Sequence, residues 1–374
     1  MWSSWFLWSR GRETPRLNGP ASPRSLMRPV PPPRPLGRRN ILMLAGASLL
    51  AGLALTLTPG LCLSRGESSS PSKLTAPGGP TPAPPSAALA LLPTDPGLPR
   101  SEDGRHYPLL PADPKELAAL LASLEEALRA PATPSDALPR LGHQQQVIYR
   151  VLAHQRALAD QARAALPKRW QPVFDHHVAA RREFLAMHRG KRSLTLPSWR
   201  VIPPEPPDHL LRYYREASAA TGIPWEVLAA VNLVETGMGR VDGISVAGAR
   251  GPMQFLPSTW AEPGIGKGDI RDPREAIHAA ARYLVRRGGP GNLKKALWGY
   301  NNSDHYGRAV LHYAALMKDN PAAFRGLYHW EVHFASGAGD LWLPVGYNQP
   351  QPISVALFLK QHPASAPPPG SSGY

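Results

Sequence analysis

A glutamate in an apolar setting is the first candidate for chemistry in this sequence. The stretch AAVNLVETGMG (Ala229–Gly239) places Glu235 near the end of a helix predicted to begin around Pro224. At 100° per residue, Glu235 lies on the same side as Leu228 and Val231, so its carboxyl group faces the packed interior or a cleft. Desolvation there raises the pKa of a carboxyl group, and a glutamate that is protonated near neutral pH can act as a general acid.

The alternative for this glutamate is a structural ion pair with Arg240 or Arg250. The loop after it, VDGISVAGARGPMQFLPSTW (241–260), favours chemistry over that alternative. Its glycines permit tight turns and a close approach of the backbone to a ligand. Ser245 and Gln254 supply groups that can hydrogen-bond the hydroxyl and acetamide groups of a sugar.

Four motifs in this order resemble the lytic transglycosylase domain family, which is SLT-type and lysozyme-like. They are the glutamate followed by threonine, the run GARGPMQFLPSTW, the alanine-rich helix around AARYL, and GYNNSDHYGRAV, where helical pieces break. The resemblance extends from Asp208 to about Ala315. It implies a mainly α-helical, lysozyme-like catalytic domain.

The resemblance also implies roles for individual residues. Glu235 matches the single catalytic glutamate, and the residues implied in substrate binding are Thr236, Ser245, Met253, Gln254, Tyr300 and Asn301. In this family the tyrosine of the Tyr–Asn pair lies near the catalytic carboxylate. The family usually has serine after the glutamate. Thr236 keeps the hydroxyl group, but the contact made by its extra methyl group stays open.

The implied reaction is non-hydrolytic cleavage of peptidoglycan between N-acetylmuramic acid and N-acetylglucosamine. A protonated Glu235 donates its proton to the glycosidic oxygen, while the substrate's own acetamide stabilises the positive charge at the anomeric carbon. The ionised Glu235 then removes the proton of the muramic C6 hydroxyl, which closes a 1,6-anhydro ring. One residue thus serves first as acid and then as base.

Three alternatives stay open beside this reaction. A hydrolysing muramidase would need a second carboxylate to hold a water, and the candidates are Asp242, Asp269, Asp272 and Asp304, of which Asp272 is better explained as a helix cap. The other two are an inactive wall-binding module and a membrane-tethered scaffold. No cofactor is expected for this chemistry. No metal site is predicted, since the histidines lack the spacing of ligands.

Proline-rich breaks organise the chain around this domain. We expect a basic disordered leader (1–40), a transmembrane anchor or signal segment (41–63), a Pro-rich linker (64–112), a helical accessory region (113–195), the catalytic domain (205–320), a β-hairpin extension (321–360) and a disordered tail (361–374). Residues 41–63 hold no charge and are long enough to span a bilayer. In the accessory region, helices are predicted over 114–128, 143–165 and 171–189.

Charge and cysteine content bound the partners and the compartment. The net charge is +15, and Cys62 is the sole cysteine, which excludes an intrachain disulfide. Basic residues after position 65 are not interleaved with aromatics, so nucleic acid is not expected, whereas peptidoglycan strands or an anionic membrane suit the charge. Arg38 and Arg39 before the apolar segment predict export of the chain from about residue 64 onward. We therefore expect the bacterial cell envelope, periplasmic or otherwise extracytoplasmic, with an inner-membrane anchor if 41–63 is retained, and cell-wall synthesis proteins as candidate partners.

Overall fold

The computed structural model describes residues 97–188 and 192–368. The predicted leader, the apolar segment 41–63, most of the linker and the end of the tail lie outside these residues. Within the described ranges, no helix combines the length and the apolar character needed to cross a membrane.

Helices dominate the described chain, which confirms the predicted mainly helical class. The twelve α-helices within residues 97–188 and 192–368 are α1 (Pro114–Arg129), α2 (Leu138–His154), α3 (Arg156–Ala165), α4 (Gln171–His188), α5 (Pro207–Thr221), α6 (Trp225–Thr236), α7 (Pro257–Trp260), α8 (Pro273–Arg286), α9 (Leu293–Asn301), α10 (Asp304–Asp319), α11 (Ala323–Tyr328) and α12 (Val355–Gln361). Short 3-10 helices add Lys168–Trp170 and Pro363–Ser365.

The strands are short and form antiparallel pairs. They are β1 (Thr195–Leu196), β2 (Trp199–Val201), β3 (Val241–Gly243), β4 (Val332–Ser336), β5 (Gly339–Leu343) and β6 (Ile353–Ser354). β1 pairs with β6, and β2 pairs with β3. β4 and β5 form a hairpin, in which Val332 lies opposite Leu343 and Ser336 opposite Gly339. This hairpin lies where the sequence predicts one.

Local sequence explains where several helices begin. The side chain of Asp113 accepts hydrogen bonds from the backbone N–H groups of Lys115 (2.8 Å) and Glu116 (3.0 Å), so Asp113 caps α1. The predicted helix 143–165 is wrong, because the chain turns at Gln155 (φ −92°, ψ 85°) and forms α2 and α3 instead. α3 then packs against α1, a tertiary contact that the local pattern does not contain.

The end of the predicted linker differs from an extended chain. Leu98 and Tyr107 are buried, and they pack with Val147 of α2 and Trp342 of β5. Burial of these two side chains fixes this part of the linker against the helices and the hairpin. The surrounding prolines do not prevent this packing.

Helices of the predicted accessory region and of the predicted catalytic domain pack together within one compact unit. α4 lies along α10, and α10 lies along α6. α2 is buried along nearly its whole length, including three consecutive glutamines. Gln146 exchanges hydrogen bonds with the backbone of Glu331 (2.9 and 2.7 Å), and Gln145 accepts one from the indole of Trp330 (2.9 Å).

Candidate active site

Glu235 lies in the last turn of α6, a helix whose residues from Val227 onward are all buried. The helix ends because Gly237 takes a left-handed conformation (φ 62°) and its N–H group bonds to Leu233 (3.0 Å). The side chain of Glu235 lines a cleft of about 530 Å³, although only 2% of the residue is exposed. A carboxyl group is therefore presented to the cleft from an apolar helix.

The phenol of Tyr306 donates a hydrogen bond of 2.8 Å to Oε1 of Glu235. Tyr306 comes from the first turn of α10, where its N–H group bonds to the capping hydroxyl of Ser303 (3.3 Å). Its ring lies parallel to that of Tyr300, with 6.2 Å between centroids and 3° between planes. Burial is the main cause that raises the pKa of both tyrosines well above the ordinary value, and Glu235 reinforces the shift when it is ionised. Tyr306 thus stays protonated and acts as a donor.

The loop after α6 is tied to the helices on two sides. The hydroxyl of Thr236 and the amide of Asn232 both donate to the carbonyl of Pro252, at 2.6 and 2.8 Å. The phenol of Tyr300 donates to the next carbonyl, that of Met253, at 2.9 Å. These bonds fix the loop beside Glu235.

Gly251 allows the loop after α6 to lie close against the backbone at Ile270. Its φ is +73°, and a Cβ atom at this position would lie 2.0 Å from the carbonyl oxygen of Ile270. Glycine is therefore required both by the backbone conformation and by the close approach.

The structure brings five of the seven predicted site residues to the cleft. They are Glu235, Ser245, Gln254, Tyr300 and Asn301. The other two, Thr236 and Met253, are fully buried. Thr236 also accepts a bond from the N–H group of Gly239 (3.0 Å), so its hydroxyl, which serine would also supply, serves the backbone. Thr236 and Met253 therefore lie behind the cleft wall and do not line the cleft.

Ser245 and Gln254, two polar residues of this loop, differ in whether they leave a hydrogen-bonding atom available at the wall of the cleft. The hydroxyl of Ser245 accepts a bond from the N–H group of Ala249 (2.8 Å) and closes a turn. Gln254 takes a positive φ of 50° and donates to the carbonyl of Gly251 (3.0 Å). Its Oε1 atom is buried and has no hydrogen-bond partner among the described residues. The cleft wall thus contains an acceptor that a ligand could use.

None of the four aspartates considered as alternatives to Glu235 lines the cleft, and three of them are engaged elsewhere. Asp242 forms an ion pair with Arg200 across β2 and β3, and Asp269 accepts from the N–H group of Arg271 (2.9 Å). Asp272 caps α8 through the N–H group of Glu275 (2.8 Å), as predicted. Within the described part of the chain, Glu235 is the one carboxylate that lines the cleft.

The arginines considered as ion-pair partners have other surroundings. Arg240 donates to the carbonyl of Gly237 (3.1 Å) and lies over the ring of Tyr328, 5.2 Å from its centroid. Arg250 is exposed. In residues 97–188 and 192–368, no group of three or more His, Cys, Asp or Glu side chains is arranged to hold a metal ion.

Sequence comparison locates a known domain over this site. Residues 212–318 match the family model described as the transglycosylase SLT domain. No curated protein and no solved structure matches the chain. The matched segment contains every residue that lines the cleft.

Proposed function

We propose that this protein, whose residues 212–318 carry a transglycosylase SLT domain, cleaves peptidoglycan strands with Glu235 as both acid and base. The observation that carries the proposal is the carboxyl group of Glu235, buried at the wall of the cleft within this domain and hydrogen-bonded by Tyr306. SLT domains in general act on peptidoglycan, a polymer of the cell envelope.

The first step transfers a proton from Glu235 to the glycosidic oxygen of N-acetylmuramic acid. The bond to the leaving N-acetylglucosamine breaks, and the acetamide oxygen of the muramic residue stabilises the positive charge at its anomeric carbon. Glu235 becomes a carboxylate in this step. The hydrogen bond from Tyr306 stabilises that charge, since donation to an ionised acceptor is stronger than donation to a neutral one.

In the second step the same carboxylate removes the proton of the C6 hydroxyl. The C6 oxygen attacks the anomeric carbon and closes the 1,6-anhydro ring, which returns Glu235 to its protonated form. No water is consumed. The burial of Glu235 at the cleft wall supports this route, because a shielded site limits competition by solvent.

The distribution of carboxylates favours this route over hydrolysis. The usual two-carboxylate glycosidases hold their second carboxyl group within about 10 Å of the first. In this protein Asp242 is paired with Arg200 and Asp272 caps a helix, and among the described residues Glu235 alone supplies a carboxylate to the cleft. The acceptor Oε1 of Gln254 suits the N–H group of a substrate acetamide.

The test is mass spectrometry of the products released from purified sacculi by the full chain. Anhydro ends, which are one water lighter than reducing ends, are expected. Glu235→Gln should release no product. Glu226→Gln changes a carboxyl group in the first turn of the same helix, away from the cleft, and should cleave at the wild-type rate. Reducing ends would identify a hydrolase, and cleavage by Glu235→Gln would refute the assignment.

Anchoring through residues 41–63 and association with cell-wall synthesis proteins remain predictions. Both concern parts of the protein or partners beyond the described residues. Peptidoglycan as substrate is consistent with the exported topology expected from the basic residues before the apolar segment.

A further inference from the structure

A positively charged side chain lies on the same cleft wall as Glu235. Arg287 follows directly after α8, is exposed, and lines the cleft. Its guanidinium group lies over the ring of Tyr283, 4.7 Å from the centroid, and its Nη2 donates to the Tyr283 hydroxyl at 2.5 Å. The phenol of Tyr283 also lies 3.4 Å from the carbonyl of Gly299, an acceptor on α9. The arginine is therefore held in place by an aromatic ring.

Gly299 leaves room for this arginine. A Cβ atom at position 299 would lie 2.9 to 3.1 Å from the Cδ, Cγ and Cβ atoms of Arg287. The aliphatic part of the arginine thus packs against bare backbone of α9. Ordering the side chain in advance lowers the entropy lost when its charged end binds a ligand.

The charge of Arg287 is not matched within the described part of the chain. No Asp or Glu there forms an ion pair with it, whereas the preceding residue, Arg286, pairs with Glu262 at 2.8 Å. The residues lining the cleft include two charged side chains, Glu235 and Arg287. An ordered and unmatched guanidinium group in a binding cleft is suited to an anionic group of the ligand.

An exposed aromatic ring accompanies the arginine. Trp298 precedes Gly299 on α9, lines the cleft, and is 49% exposed. The C–H face of a pyranose is apolar and can cover such a ring. This end of the cleft therefore offers contacts to a sugar and to an attached negative charge.

We propose that Arg287 binds a carboxylate carried by the N-acetylmuramic acid residue of the substrate. This inference rests on the proposed function, because it takes peptidoglycan as the ligand. The carboxylate belongs either to the free lactyl group of a peptide-free strand or to the peptide attached to that group. The planar guanidinium fork matches a carboxylate in a bidentate manner, which a lysine does not reproduce. Uncharged N-acetylglucosamine oligomers carry no such group.

Equilibrium binding to the full-length Glu235→Gln protein tests this, since turnover is then removed. The probes are peptide-bearing peptidoglycan oligomers, peptide-free peptidoglycan oligomers and N-acetylglucosamine oligomers. Adding Arg287→Gln should weaken binding of carboxylate-bearing oligomers by roughly tenfold to a hundredfold. Binding of the uncharged oligomers should not change. Arg287→Lys should recover part of the loss.

Arg286→Gln is the matched control, because it removes the same charge from the adjacent residue and should leave all three affinities unchanged. A loss confined to one carboxylate-bearing probe identifies which carboxylate Arg287 binds. Equal affinities for the protein with and without Arg287→Gln, or an equal loss on uncharged oligomers, would overturn the inference. If wild-type protein cleaves sacculi in that case, the proposed function stands. Absence of both cleavage and binding would overturn both.

Discussion

Tyr306 is placed to act on Glu235 by three surrounding contacts. Its backbone is fixed by the cap at Ser303, its ring is covered by Tyr300, and its hydroxyl reaches the carboxyl oxygen of Glu235. Burial and the nearby carboxylate raise the pKa of Tyr306, so the proton stays on the phenol at any working pH. In the proposed reaction the charge of Glu235 changes twice, and the tyrosine is a fixed donor in both steps.

We expect Tyr306→Phe to lower kcat by roughly tenfold to a hundredfold, since it removes one hydrogen bond to an ionised group while keeping the ring. Turnover on sacculi is the measurement. Tyr313→Phe is the control on the same helix, because the Tyr313 hydroxyl is buried with no hydrogen-bond partner among the described residues. Tyr313→Phe should retain wild-type turnover. Full activity of Tyr306→Phe would contradict a role for this bond.

The sequence indicates the candidate acid more directly than it indicates the contacts around that acid. Glu235 stands out as a candidate because a buried carboxyl group on an apolar helix face is costly unless it has a role. The bond from Tyr306 could not, since it joins residues 71 positions apart and depends on how α10 is rotated against α6. The burial of Thr236 and Met253 behind the cleft wall was hidden for a related reason: a motif gives the position of the loop but not the direction of each side chain.

At the scale of elements, α4 holds the first turn of α10. Glu183 of α4 accepts two hydrogen bonds of 2.8 Å from Arg308 and lies 2.6 Å from His305. The cap residue Ser303 also contacts the sulfur of Met187, at 3.5 Å. Hydrogen bonds from Arg308 are the main cause that lowers the pKa of Glu183, so this carboxylate stays charged. A helix of the predicted accessory region thereby fixes the turn that carries the tyrosine donor.

Glu183→Gln should reduce the free energy of unfolding by about 1 kcal/mol, the upper end for a partly exposed ion pair. It should also lower kcat, by up to about fivefold if the same energy is lost in the transition state. Asp175→Asn is the control on the same helix, because Asp175 pairs with Arg163 on the exposed surface. If Asp175→Asn lowers the free energy of unfolding and keeps wild-type turnover, a loss of stability does not by itself explain a lower kcat in Glu183→Gln. Equal turnover of both variants would contradict the coupling of α4 to the site.

The first residue of a helix was predictable where an aspartate side chain caps the N-terminus. Asp113 and Asp272 precede proline and accept the expected backbone bonds. The break at Gln155 has no glycine or proline to indicate it in the sequence, and it directs α3 back onto α1. The burial of α2 on all sides was equally hidden, because its glutamines resemble a solvent-facing stripe until their partners at Trp330 and Glu331 are known.

At the scale of the whole molecule, buried histidines make the fold sensitive to acid. Burial is the main cause that lowers the pKa of His143, His177 and His333, and for His333 it outweighs the opposing effect of Asp340, so all three are neutral in the folded protein at pH 7. The unfolded chain binds their protons at a higher pH than the folded protein does. Stability conferred by these histidines is therefore full above the ordinary histidine pKa and decreases as pH falls below it.

We expect the free energy of unfolding to decrease between pH 7 and pH 5, with a limiting slope of about 1.4 kcal/mol per pH unit for each histidine that remains neutral. Chemical denaturation at each pH measures it. His177→Phe should flatten the slope, because it removes one group that binds a proton only in the unfolded chain. Phenylalanine should fit this position, since the ring of His177 stacks on Tyr149 (4.0 Å) and its Nδ1 atom has no hydrogen-bond partner among the described residues. His362→Gln, at an exposed position, should leave the slope unchanged. A slope unaffected by His177→Phe would exclude His177 as a contributor.

The glutamines of α2 constrain the order of events when the chain is made. A ribosome releases α2 long before Glu331, since 185 positions separate Gln146 from its backbone partner. Until Glu331 has been made, the glutamine side chains of α2 hydrogen-bond to water, and part of its apolar surface stays exposed to solvent. Contacts of such sequence separation form slowly and leave aggregation-prone intermediates. The interior around α2 can therefore close only after Trp330 and Glu331 have been made.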